Sequence, residues 1–164
     1  MTTIEKTIEV SVPVRTAYNQ WTQFEQFPRF MEGVKEVQQL DDKHLRWRAE
    51  IAGKEVEWTS EITQQVPDQR IGWRSTSGAQ NAGSVSFLAL ADNRTQLTLH
   101  MVIDPEGAAQ STGSALGLVG ARIEGDLKRF KDFIEKRGQE TGEWRGEIHG
   151  RDVIRETPGR RASG

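Results

Sequence analysis

Between Val34 and Ile103 the apolar residues of this chain recur at every second position, whereas from Ala108 to Arg137 they recur about every 3.6 positions. Two periods in that order predict a set of half-buried strands followed by one long amphipathic helix. Leu45, Trp47, Ala49 and Ile51 alternate with Arg46, Arg48 and Glu50. Val56, Trp58, Ser60 and Ile62 alternate with three glutamates and Thr59. Ile71, Trp73 and Ser75, then Val85, Phe87 and Ala89, then Leu97, Leu99, Met101 and Ile103 continue the series, and Val34 to Leu40 is its weakest member. Asp41-Asp42-Lys43, Ala52-Gly53-Lys54, Pro67-Asp68 and Asp92-Asn93 supply turns, and a longer loop is expected from Ser77 to Gly83. Short connections make neighbours antiparallel, and the alternation gives the sheet one buried and one wet face. On the wet face Arg46 and Arg48 fall opposite the glutamates of the next strand, where each pair contributes roughly 0.2–1 kcal/mol.

Asp104-Pro105-Glu106-Gly107 ends the strand pattern. Wound as a helix, Ala109, Thr112, Leu116, Val119, Gly120, Ile123, Leu127, Phe130 and Ile134 fall within about 100° of arc, the stripe of a core-facing helix. The opposite side carries Arg122, Glu124, Lys128, Arg129, Lys131, Asp132 and Lys136, with Glu124–Lys128 and Asp132–Lys136 at the spacing of favourable pairs. A helix over the whole stretch would be ~45 Å long. Its first half contains Gly113, Gly117 and Gly120, each of which costs ~1 kcal/mol of helix propensity. That half is expected to be locally weak, or broken into a loop and a short helix. A lid that admits ligand is the functional reading; close packing of glycine on the sheet is the structural one.

Upstream, Ile4, Lys6, Ile8 and Val10 alternate with Glu5, Thr7 and Glu9, which predicts a first strand and brings the sheet to seven. Ser11 suits a helix N-cap and Pro13 a first helical turn. The helix is expected to run to about Phe24 and to bury Val14, Ala17, Tyr18 and Trp21. Phe24, Phe27, Phe30 and Met31 predict a second short helix, separated from the first by Pro28 and ended by Gly33.

A length of 164 residues suits one domain with a real core. Net charge is −2, so no global field draws the chain to nucleic acid or anionic lipid. Cysteine is absent, which removes disulfides and thiolate metal sites and points to a reducing, cytoplasmic compartment. MTTIEKTIEV has no apolar signal core, and no run reaches the ~20 residues of a membrane span. Residues 1–137 form the expected domain. Residues 138–164, with glycine at 138, 142, 146 and 150 among mixed charges, are expected to be a flexible or loosely docked tail. Trp144, Ile148, Val153 and Ile154 are its only anchors, for docking on this domain or on a second copy in a homodimer.

No catalytic constellation stands out, and the sequence calls for no metal or cofactor. His44, His100 and His149 have no metal-ligand spacing, and no glycine-rich phosphate loop follows a strand. Ser60 and Ser75 face inward without a histidine, which suits hydrogen bonding to structure or ligand better than nucleophilic chemistry. Strand alternation leaves no ionisable group on the inner face, so Asp126 on the helix flank is the nearest. What remains is aromatic: Trp47, Trp58 and Trp73 share one phase on three successive strands, and Phe87 follows. Against a helix rich in glycine they predict an apolar cavity for a small molecule. Its expected lining is Trp47, Trp58, Ser60, Trp73, Ser75, Phe87, Leu99, Met101, Leu116, Val119, Gly120 and Ile123.

The order strand, two short helices, six strands and long helix resembles the helix-grip fold of the START-like superfamily. VPVRTAYNQWTQFEQFPRFMEGVKEV, WTSEITQQVPDQRIGWRS and EGDLKRFKDFIEKR look like the polyketide cyclase/dehydrase and lipid-transport branch, and TGEWRGEIHG is similar to tails in that group. The resemblance covers about residues 1–137. It implies an α+β fold with a curved sheet around the last helix, and a cavity for lipids, polyketides or aromatic compounds. It does not imply one reaction, because members include carriers, cyclases and hydrolases, and it carries over no catalytic residue. A hydrophobic-ligand binder, a cyclase or dehydrase acting by confinement, and a protein-interaction module are the readings it leaves open.

Overall fold

The alternation of the first segment becomes β1 (Thr2–Val10), which pairs antiparallel with the last long strand, Lys6 opposite Leu99 and Ile8 opposite Leu97. The computed structural model describes residues 2–51, 53–78, 81–103, 113–150 and 152–154, and the side chains of all of these except 2, 51, 103, 113–119 and 152. After β1 come α1 (Val14–Trp21) and a 3-10 helix (Phe24–Arg29). Then follow β2 (Val34–Gln39), β3 (His44–Ile51), β4 (Lys54–Val66), β5 (Arg70–Gly78), β6 (Asn81–Ala91) and β7 (Arg94–Ile103). The long helix α2 (Gly113–Arg137) precedes two short strands, β8 (Glu147–His149) and β9 (Asp152–Ile154). The main sheet runs β1-β7-β6-β5-β4-β3-β2 with every pair antiparallel, so the class is the expected α+β helix grip with two strands more than the pattern predicts.

The helix stripe lands as expected, with Leu127, Phe130 and Ile134 buried. α2 is tied to both edges of the curled sheet. Lys6 Nζ reaches Glu124 (3.4 Å) and Lys131 Nζ the Glu9 carbonyl (3.1 Å) on β1. On the other side Asp126 accepts the Glu32 N–H (3.1 Å), and Arg129 donates to the Phe30 carbonyl (2.9 Å). Trp21, Phe27, Phe30 and Phe130 pack edge-on or tilted at 5.1–5.4 Å, which fixes the half of the core under α1 and the 3-10 helix. α2 is unbroken through Gly117 and Gly120. Its expected start, Ala108 to Thr112, lies outside the described residues. Lys128 pairs with Glu124 as spaced, and Lys131 with Glu135 (2.6 Å) adds a second i,i+4 pair.

Several expectations are corrected. Ser11 is not the N-cap of α1. Pro13, in an extended conformation, occupies that place without a side-chain cap, and the Ser11 N–H is taken by Glu135 (2.7 Å). The helix stops at Trp21 rather than near Phe24, where the Thr22 hydroxyl turns back to the Asn19 carbonyl (2.6 Å). Ser77 to Gly83 is not a long loop, since β5 reaches Gly78 and β6 begins at Asn81. Hydroxyl pairing on the wet face explains this, with Thr59 bonded to Thr76 (2.8 Å) and Ser77 (2.6 Å). Ala89 is exposed beside a register shift at the end of β6, so the inward row there stops at Phe87.

Residues 139–150 run back over α1. Asn19, Gln20 and Thr22 are buried because Glu140, Thr141 and the Trp144 N–H bond to them. The Arg145 guanidinium bridges Asn19 (2.6 Å) and Asp68 (2.8 Å) and lies 5.5 Å over the Tyr18 ring. β8 pairs with β4, Ile148 opposite Gln65, in the lane that β3 leaves at His44. Composition hides this docking because its anchors are mostly hydrogen bonds.

Glu61 and Glu135 both contribute to the acid limb of stability. Partial burial pushes the Glu61 carboxyl up, but Arg74 and Lys43 outweigh it and hold it below the usual 4.5. At Glu135 the same contest is won by Lys131 and the Ser11 N–H. Folded values below the unfolded one mean that this stability is complete above pH 4.5 and is lost as pH falls through the folded values. Melting temperature measured against pH should therefore drop below 4.5, and Glu61→Gln should make that limb shallower. An unchanged limb would exclude the Glu61 contribution.

Candidate ligand-binding site

Burial of the inward-facing row changes along the strands. At the end covered by α1 and the 3-10 helix, Ile62, Ile71, Val85, Phe87, Leu97 and Leu99 are buried. Toward the other end the row continues as Val56 and Trp58 on β4, Trp73 and Ser75 on β5, Gly83 on β6 and Met101 on β7, all half-buried. Ile123, where α2 crosses this end, is half-buried too.

The aromatic wall has a definite shape. Trp47 and Trp58 are directly paired across β3 and β4, and their rings are stacked, 5.7 Å apart and 6° from parallel. Phe24 and Phe27 meet Trp47 at 6.5 and 5.8 Å, so Trp47 joins the wall to the core. The Trp73 ring lies against β6 at Gly83, where any Cβ would come within 2.9 Å of it. Glycine at that position is what lets the indole come so close to the strand.

Ser60 and Ser75 face one another on β4 and β5. Ser60, 1% exposed, accepts the Trp47 indole N–H (2.8 Å), and Ser75 accepts the Asn81 backbone N–H (3.1 Å). Leu116 and Val119 lie on turns of α2 whose side chains are outside the described set. The structure therefore brings Trp47, Trp58, Ser60, Trp73, Ser75, Phe87, Leu99 and Met101 to one face of the sheet, with Gly120 and Ile123 on the helix that crosses it.

Ionisable groups sit at the rim. Lys6, opposite Leu99, shares the inner face, which corrects the expectation that the strands carry none there; the clue was its even position among Ile4, Ile8 and Val10. It is engaged by Glu124. Burial pushes the Asp126 carboxyl up beyond the opposing pull of Arg129 and the Glu32 N–H. Those bonds tie Asp126 to Glu32, just before β2, and to Arg129 on its own helix. His100 is exposed. Among the described residues no cluster of histidine and carboxylates is arranged for a metal. Grooves flank α2 on both sides: about 490 Å³ against β1, lined by Ile4, Lys6, Gly120 and Glu124, and about 200 Å³ against Gly33, Glu50 and Arg122.

The sequence pattern of the polyketide cyclase / dehydrase and lipid transport family matches residues 10–132, from the end of β1 into the last turns of α2. The chain belongs to that family. Within it, the chain is 48% identical over 149 residues to an uncharacterized 17.2 kDa protein in the melC2-rnhH intergenic region of Streptomyces lincolnensis, covering 90% of this chain and 99% of that one. Solved structures share the fold. A START superfamily protein from Mycobacterium smegmatis matches with TM-score 0.72 at 19% identity, over 82% of this chain and 98% of that one. The Zhui aromatase/cyclase from Streptomyces sp. R1128 matches with TM-score 0.64 at 17% identity, over 84% and 93%. This family member thus shares the fold of a START superfamily protein, and no helix among its described residues is long and apolar enough to cross a membrane.

Proposed function

We propose that this family member binds a hydrophobic small molecule (a lipid, a polyketide or an aromatic compound) between the half-open end of the sheet and the first half of α2. The observation that carries this reading is the fall in burial along one apolar row. Ile62, Ile71 and Leu97 are buried, while Trp58, Trp73 and Met101, in phase with them, are not. Half-exposed indoles on a concave face are surface that a bound apolar molecule would cover, at roughly 25 cal/mol per Å² removed from water. Simple binding is favoured over a cyclase or dehydrase reaction because Lys6 and Asp126, the ionisable groups nearest, are each engaged by a structural partner.

Titration with 1-aminoanthracene tests the reading. One equivalent should bind and quench tryptophan emission. Trp144→Phe should leave the quenching intact, because Trp144 lies on the strap over α1. No uptake would reject the site.

The groove between β1 and α2 is the way in. Among the described residues a Cβ at Gly120 would meet only Lys6 Cε, at 3.9 Å, which leaves room for alanine there. Alanine at Gly117 and Gly120 adds ~1 kcal/mol of helix propensity per position. Stopped-flow exchange of the probe should slow while affinity changes less; equal exchange rates would remove α2 from the gate.

A further inference from the structure

We propose that Ser60 and Ser75 form a two-hydroxyl donor site that selects flat ligands bearing a carbonyl oxygen over hydrocarbons of the same shape. The proposal rests on the binding reading above and assigns its polar specificity.

The two serines are directly opposed across β4 and β5 and share the inner face. Each oxygen already accepts a hydrogen bond from a group that can only donate, the Trp47 indole N–H for Ser60 and the Asn81 backbone N–H for Ser75. Neither hydroxyl donates to an acceptor among the described residues. Two O–H donors are thus unspent, one on a residue only 1% exposed. A buried donor without an acceptor is unfavourable, so the site is completed by a group that brings an acceptor.

Geometry narrows the acceptor further. Directly opposed residues in an antiparallel pair have Cβ atoms about 4.5–5.5 Å apart. Hydroxyls carried on Cβ atoms so spaced can both turn to donate to one oxygen lying between them, at the usual O–H···O distance of about 2.7 Å. A carbonyl oxygen has two lone pairs in one plane and fits two such donors. The Trp47–Trp58 stack stands one step along β4, and Trp73 stands on β5 beside Ser75. A planar framework against these indoles would bring its carbonyl to the serine pair.

The test compares 2-acetylnaphthalene with 2-isopropylnaphthalene, matched in shape, by quenching of tryptophan emission. Wild-type protein should bind the ketone at least about tenfold more tightly. The carbonyl stretch of bound ketone should shift to lower frequency than in an aprotic solvent. In Ser60→Ala/Ser75→Ala the ratio of the two affinities should fall to within about twofold. Ser60→Ala also removes the acceptor of Trp47. If the double variant does not fold, Ser75→Ala alone, checked by its melt, should lose part of the preference and part of the shift. Equal affinity for the two compounds in wild-type protein, or a preference untouched by Ser75→Ala and by the double variant, overturns the donor site and leaves the binding reading standing. Failure of wild-type protein to bind either compound overturns the binding reading and the donor site together.

Discussion

Phe130→Ala is expected to destabilise the protein by about 3–5 kcal/mol, the range for truncating a fully buried aromatic. Phe130 is 0% exposed and meets Trp21 and Phe30 edge-on at 5.1 and 5.2 Å. It is the point where α2, α1 and the segment before β2 converge, so the cavity left by alanine would open among three elements that cannot collapse independently. Urea unfolding measures the loss. The neighbouring Lys131→Ala is the control. Lys131 contacts the Glu9 carbonyl and Glu135 at the surface, and ion pairs of that exposure contribute at most about 1 kcal/mol. Equal losses at the two positions would mean that the buried face of α2 is misassigned.

That face was readable from spacing alone, and so was the phase of the tryptophans. Period 2 places Trp47, Trp58 and Trp73 on one side of the sheet whatever the tertiary structure does, because a one-residue slip would bring Arg46, Arg48 and Glu57 inside. On the wet face Arg48 stands opposite Glu57 and Arg46 reaches the same glutamate diagonally at 3.5 Å, so these charges lie on the side away from the tryptophans. Where reading failed, the deciding partner was distant in sequence or polar. Asn19, Gln20 and Thr22 look like the wet side of α1 until residues 140–145 close over them. Ser75-Thr76-Ser77-Gly78 has the composition of a loop, yet a hydroxyl ladder keeps it in the sheet. Ala89 keeps the alternation but falls beside a bulge, which no pattern of apolar residues marks. The serine pair was legible as two inward hydroxyls; that their oxygens accept from the Trp47 indole and the Asn81 N–H required the positions of those two partners.

Removal of residues 139–164 should lower stability by at least about 3 kcal/mol, near 6–12 °C in melting temperature for a chain of this size. Ile148 is completely buried, and Ile148→Ala should cost about 2–4 kcal/mol. Its strand supplies β4 with backbone partners at Gln64 and Gln65, and the Gly150 N–H reaches the Thr63 carbonyl (2.8 Å). Deletion would leave that part of β4 as an open edge. Arg145 adds a contact of a different kind, since its guanidinium satisfies Asn19 and Asp68 together and covers the Tyr18 ring. Arg145→Ala should therefore destabilise more than Arg15→Ala, which makes an exposed ion pair at 3.9 Å to Glu143. Thermal melts of the truncated, Ile148→Ala and Arg145→Ala proteins measure these losses. A truncated chain that melts as cooperatively and as late as the full one would show that the strap contributes nothing to the fold. A melt lowered in the truncated chain and, by a smaller amount, in each point variant is the expected pattern, because the strap acts through several contacts at once.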